Sequence, residues 1–153
     1  MKVDVTIATQ VEEQVSEILK LRGSFDTKRA ELYALTFDTN GGVSVELITS
    51  NGDVYELIDS AIENKSTEGL DGVAVLTCGW AAPLPKGETA DDDDDDRVPP
   101  SQHPERRRVR LVICANREGV ASVLRFQDTP NEITTDEGSA KGSLADAILA
   151  LVS

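Results

Sequence analysis

GVAVLTCGWAAPLP, Gly72 to Pro85, runs uncharged through a continuous set of Val, Leu, Thr and Cys and carries the only Trp of the chain. VAVLTC within it shows no polar alternation, which is the pattern of a strand covered on both sides, so it is expected at the middle of a sheet. Pro83 and Pro85 forbid its continuation as a strand, and it empties into Lys86 and then the aspartate run Asp91, Asp92, Asp93, Asp94, Asp95 and Asp96. A charged tract directly after so apolar a strand keeps that strand from pairing with a neighbouring chain.

On the N-terminal side of this strand, VDVTIA alternates and reads as a first strand. Thr9 and Glu12 then have the spacing of a capping box, and Val11, Val15, Ile18 and Leu19 share one helical face that Gly23 is placed to end. Three β-rich runs follow, ELYALTFD, VSVELIT and DVYELI, separated by TNGG and NG. Asn-Gly tolerates the positive φ of a tight hairpin turn, so an antiparallel meander is expected, with Asn51-Gly52 setting Thr49 opposite Val54 and Leu47 opposite Glu56. DSAIENK supplies a helical turn or two capped by Asp59 or Ser60, and STEGLDG is loop-like.

C-terminal to the strand, residues 81 to 108 form a long Pro- and Asp-rich connection with five of the six prolines. VRLVICA and GVASVLRF make a hairpin around NREG. The polar linker QDTPNEITTDEGSAKG leads to a last helix opened by Ser143 and Asp146, with Leu144, Ile148, Leu151 and Val152 on its docking face. The expected architecture is a single α+β domain over 1–153: a largely antiparallel or mixed sheet of about five or six strands, covered by an N-terminal and a C-terminal helix.

Composition narrows the function. At 39% hydrophobic and 4% aromatic, the core must be built from Val, Leu, Ile and Ala. No segment has the ~18 apolar residues of a membrane helix and no secretory leader is visible, so no membrane association is expected and the expected location is the cytoplasm. The net charge of −13, six units of it from Asp91 to Asp96, opposes phosphate backbones over most of the surface. Nucleic acid is therefore not an expected partner. Arg106, Arg107, Arg108 and Arg110, in ERRRVR, are the one basic cluster.

Catalytic options are few, because His103 is the only histidine. Histidine-rich zinc sites cannot be assembled, Cys78 and Cys114 are too far apart in sequence for a zinc knuckle, and no phosphate-cradling glycine loop is present. The candidate that survives is Cys78 as nucleophile with His103 as base. Against it, a lone Cys inside an apolar strand is commonly a small core residue, and Cys114 fits that description as well. Six adjacent carboxylates lack the spaced ligands and turn glycine of a calcium loop, so no dedicated metal and no cofactor are expected.

The opening segment VDVTIATQVEEQVSEIL and the GWAAPLP stretch resemble, in element order, the JAB/MPN metalloprotease domains, in which a Gly-Trp or similar pair precedes His-x-His-Pro. Here Ala81, Ala82 and Pro83 follow Trp80, so the resemblance implies an inactive scaffold. The order of helix, hairpin, helix and three strands is equally similar to roadblock-type domains. The residues themselves point to a non-enzymatic binding or regulatory domain that acts through protein–protein contacts and self-association. Trp80, Asp91 to Asp96, Arg106, Arg107 and Arg108 are its expected contact residues. A small hydrolase-like enzyme with a Cys78/His103 site is the alternative.

Overall fold

The computed structural model describes residues 2–23, 25, 29–81, 104–129, 131–137 and 143–152. Its elements are α1 (Val5–Leu21), β1 (Ala30–Phe37), β2 (Val43–Asn51), α2 (Val54–Glu63), β3 (Gly72–Ala81), β4 (Arg107–Ala115), β5 (Val120–Phe126), β6 (Ile133–Glu137) and α3 (Ser143–Val152). The six strands form one antiparallel sheet in the order β2-β1-β3-β4-β5-β6. The fold is α+β, and β3, the GVAVLTCGWA strand, is an interior strand hydrogen-bonded to β1 and β4. Residues Val73 to Leu76 of β3 are buried, as a strand covered on both faces requires.

One face of the sheet carries α1. Ile7, Ala8, Val11, Val15 and Leu19 of that helix pack with Tyr33, Leu35, Ala74, Leu76, Val112, Cys114, Ala121 and Val123. The other face carries α2 and α3, whose Leu57, Ile58, Ala61, Ile148 and Leu151 pack with Leu32, Val73, Val75, Ile113, Ala115 and Val120. Ile148 and Leu151 are thus where the sequence places them, and the NREG hairpin forms between β4 and β5.

Three expected elements differ. VDVTIA is not a strand: the helix begins at Val5, capped by Asp4, whose side chain accepts from the Ile7 amide. The apolar 3–4 spacing of α1 extends back through Ile7 and Ala8, and burying those residues outweighs the β-propensity of the segment. Val3 and Ala8, on either side of the cap, enter the same core, which fixes the angle of entry.

The third strand of the meander is also a helix. Asn51 Oδ1 accepts from the Asp53 amide, and Asp53 Oδ1 accepts from the amides of Tyr55 and Glu56. Asn51-Gly52 therefore leads from the last residue of β2 to the cap of α2 rather than forming a hairpin, and Asp59 and Ser60 are interior to that helix. Val54, Leu57, Ile58 and Ala61 recur at helical spacing, and the buried three lie on the sheet. Finally, the polar linker contains the edge strand β6, ITTDE, which pairs with β5 from Arg125↔Ile133 to Ala121↔Glu137. A short edge strand bearing Asp136 is unattractive to further strands, and its polar sequence carries no alternation that would reveal it.

Candidate functional site

Strand alternation decides which side chains meet at the end of the sheet where β3 finishes and β4 starts. In β3, Ala74, Leu76, Cys78 and Trp80 share the α1 face. Their cross-strand partners in β4 are Cys114, Val112, Arg110 and Arg108, and Arg110 is in turn opposite Arg125 of β5. Arg107, one residue out of phase, faces the other way. Its guanidinium lies over the Phe126 ring, 4.0 Å from the centroid, and is held by both carboxylate oxygens of Asp128 and by Thr129. The hydrogen bond from Arg107 holds the Asp128 carboxyl below its ordinary range.

Trp80 is 40% exposed at the mouth of this corner. The Arg106 guanidinium is 5.0 Å and the Arg108 guanidinium 5.1 Å from its ring centroid, within reach of cation–π attraction. Behind Trp80 the corner becomes a buried charge network. Arg110 is 3% exposed and donates to the Phe25 carbonyl oxygen at 2.7 Å, to Ser16 Oγ, and to Glu12 Oε1 at 3.4 Å. The Phe25 ring covers its guanidinium at 4.6 Å. Its Nε has no hydrogen-bond partner among the described residues.

Glu12 is the acid of this network. Arg125 reaches it with Nε at 2.7 and 2.9 Å from the two carboxylate oxygens and with Nη2 at 2.8 Å, and Ser16 Oγ also donates to it. Burial pushes the Glu12 carboxyl up, but the hydrogen bonds from Arg125 and Ser16 and the charges of Arg125 and Arg110 outweigh it and hold the group below its usual range. Burial lowers the Arg110 guanidinium, with Glu12 opposing. Two arginines directly across from each other would repel, so the carboxylate from α1 is what lets them share the face.

The remaining sequence candidates fall as follows. Cys78 is half-buried on the α1 face opposite Arg110, while Cys114 is buried and opposite Ala74. Neither cysteine is in a disulfide. Four residues of strand, about 13 Å, separate the two positions, beyond the reach of about 7 Å between Cα atoms that a disulfide allows. Burial pushes the Cys114 thiol well above its ordinary range. His103 and Asp91 to Asp96 lie outside the described residues, as do the prolines of the connection other than Pro104. Among the described residues no group of three His, Cys, Asp or Glu could hold a metal ion, and no helix is long and apolar enough to cross a membrane.

Sequence reasoning missed Glu12, Ser16 and Arg125. A signal existed: Arg110 sits in phase with Val112 and Cys114 in VRLVICA, so its side chain had to point inward and needed a buried acid. A cleft of about 660 Å³ at the opposite end of the sheet, bordered by Ile62, Lys65, Asp71, Arg117 and Leu151, had no sequence signal. None of the expected site residues lines it. No protein-family model, curated protein or solved structure matches the chain.

Proposed function

We propose that this chain is a binding or regulatory domain, not an enzyme, that works through protein–protein contacts and self-association, with residues 81–108 as the contact surface. The observation that carries this reading is Trp80, 40% exposed with the guanidiniums of Arg106 and Arg108 at 5.0 and 5.1 Å from its ring centroid, at the end of β3. Trp and Arg dominate the energetics of protein interfaces because each combines a large rigid contact area with directional polar groups. An arginine pair that holds the indole in place reduces the ordering cost of binding.

Sedimentation over a micromolar to millimolar range tests it. Wild type should associate, and Trp80→Ala should weaken association about tenfold or more, the effect of losing roughly 1.4 kcal/mol or more at a central contact. A monomer at every concentration, unchanged by the substitution, removes self-association from the reading.

The half-buried Cys78 supports the alternative, an enzyme using Cys78 and His103. Alkylation with iodoacetamide near neutral pH separates the two. On the binding reading Cys78 reacts no faster than an ordinary exposed thiol, and Cys114 stays unreacted in the folded protein. A rate far above that, abolished by His103→Ala, would replace the binding reading with the enzymatic one.

A further inference from the structure

β2 and β6 form the two edges of the sheet, and they differ. β6 has five residues and ends in Asp136 and Glu137, whereas β2, VSVELITSN, has nine, with Glu46 its only charge and no Lys or Pro to discourage a further strand. The direction of its backbone groups follows from the hairpin with β1. Asp38 donates its amide to the Gly42 carbonyl, while the amide of Phe37, the residue opposite Val43, turns the other way and donates to Asp71 Oδ2, just before β3. Antiparallel alternation from that point sends the amides and carbonyls of Val43, Val45 and Leu47 outward, away from β1. Among the described residues no backbone group meets this edge from outside, and the side chains that do are Gln14, donating to the Val43 carbonyl, and Arg29, donating to that of Ser50.

The regular part of the edge has clear bounds. It starts at Val43, after the Gly42 turn, and stops at Leu47, because the pairing with β1 skips Ile48 and resumes at Thr49. Val45 is its midpoint. A two-fold axis through that point sets Val45 opposite Val45 of a second copy, Val43 opposite Leu47 and Ser44 opposite Glu46. The three outward residues then fall in hydrogen-bonded pairs, and the Val43 carbonyl has a second lone pair beside the one that Gln14 takes. Side chains agree with this register. Val43 and Val45 lie on the α1 face, Leu47 shares it by alternation and is 45% exposed, and pairing gives Leu47 an apolar neighbour in Val43 of the second copy. The only charge of the strand meets a serine rather than itself.

We infer that β2 pairs antiparallel with β2 of a second copy, centred on Val45, so that two sheets join into one across a two-fold axis. A second copy fits this edge better than an unrelated strand because the segment, read against its own reverse, matches apolar with apolar and carboxylate with hydroxyl. The inference assigns the self-association of the binding reading to a surface separate from residues 81–108. A single strand pair buries less than the roughly 1,200–2,000 Å² of a stable interface, so the dimer should dissociate in the micromolar range or above.

Sedimentation equilibrium of the full chain from micromolar to millimolar concentration tests it, at about 0.15 M salt, where repulsion between molecules of charge −13 is screened beyond about 8 Å. Wild type should dimerise. Val45→Pro removes the outward amide at the centre without taking a hydrogen bond from β1, and should weaken dimerisation at least tenfold with an unchanged circular dichroism spectrum. Should that variant fail to fold, Leu47→Lys, at an exposed position and with less net negative charge to oppose association, should still weaken it at least threefold. Ser44→Lys sets an ammonium opposite each Glu46 and should strengthen dimerisation at least threefold, more than Ser60→Lys, the same change of charge on α2.

A wild type that stays monomeric throughout overturns the inference, as does a dimer that ignores both Val45→Pro and Leu47→Lys, or one that Ser44→Lys strengthens no more than Ser60→Lys does. The Trp80→Ala variant separates its failure from that of the binding reading. Association weakened by Trp80→Ala but not by Val45→Pro overturns the inference and leaves the contact surface at residues 81–108, while the reverse result supports the inference and takes self-association away from those residues.

Discussion

The two faces of the sheet bury comparable helices with different chemistry. Beneath α2 and α3, the buried side chains among the described residues are all apolar. Beneath α1, Glu12, Glu31 and Arg110 are buried beside Val11, Val15, Leu76 and Val112. Tyr33 Oη donates to Glu31, which also accepts from Arg22 at 2.8 Å, so α1 is tied to the sheet by ion pairs at its middle and just beyond its C-terminal end. Apolar contacts tolerate small slides of a helix over a sheet, whereas a carboxylate shared by two guanidiniums accepts one position. The contrast teaches that the face with the exposed tryptophan is also the face whose helix is positioned by charge.

The largest effect should come from Glu12→Ala. It leaves Arg110 and Arg125 opposite each other with their shared acid gone, and removing one partner of a buried ion pair costs about 3–5 kcal/mol. Chemical denaturation measures it, and a loss below about 1 kcal/mol would mean that solvent reaches the network. Ile58→Ala is the matching cut on the apolar face. With Ile58 fully buried it should cost about 2–4 kcal/mol, with no new dependence on pH or salt.

Acid sharpens the contrast further. The Glu12 carboxyl is held below its usual range, so its contribution is fully present above the ordinary glutamate value of about 4.3 and is lost as pH falls through the depressed folded-state value. The acid limb of wild-type stability should therefore be steeper than that of Glu12→Gln, whereas Ile58→Ala should shift the wild-type limb down without changing its slope. Equal slopes in wild type and Glu12→Gln would break the comparison.

The smallest effect should come from replacing Asp91 to Asp96 with Ser. Adjacent like charges repel and exposed pairs with arginine are worth at most about 1 kcal/mol, so the melting temperature should be unchanged or slightly raised. A calcium-specific rise of the melting temperature confined to wild type would instead identify the tract as a metal site.

Much of the fold behind this contrast was legible in the sequence, for physical reasons that can be named. β3 announced itself because a strand buried on both faces has no use for polar alternation, and β4 and β5 because NREG interrupts two runs of Val, Leu and Ile. DVYELI misled because Val, Tyr and Ile favour strands, while Asp53 capping Tyr55 and Glu56 decided for a helix. β6 was hidden because an edge strand needs few apolar residues. At the site, composition grouped Arg106, Arg107 and Arg108 as one basic cluster, yet alternation sends Arg107 to Phe126 and Asp128 and leaves the other two on Trp80. Glu12 could not be matched to Arg110 and Arg125 from the sequence, since nothing local links residues 98 and 113 positions apart.

One consequence of the pairing between β3 and β4 concerns chain length. Ala81 and Arg107 are cross-strand partners, so the connection departs and returns at a single point on the sheet. Doubling the length of a flexible closure adds only about 0.6 kcal/mol of entropy cost, and the pairs from Val73↔Ala115 to Ala81↔Arg107 are set by the strands themselves. The register of β3 and β4 is therefore carried by the strands, and added chain length between those two ends should cost the pairing little. The junction is a natural splice point, where a tag, a binding peptide or an entire guest domain can be inserted while the sheet keeps its register.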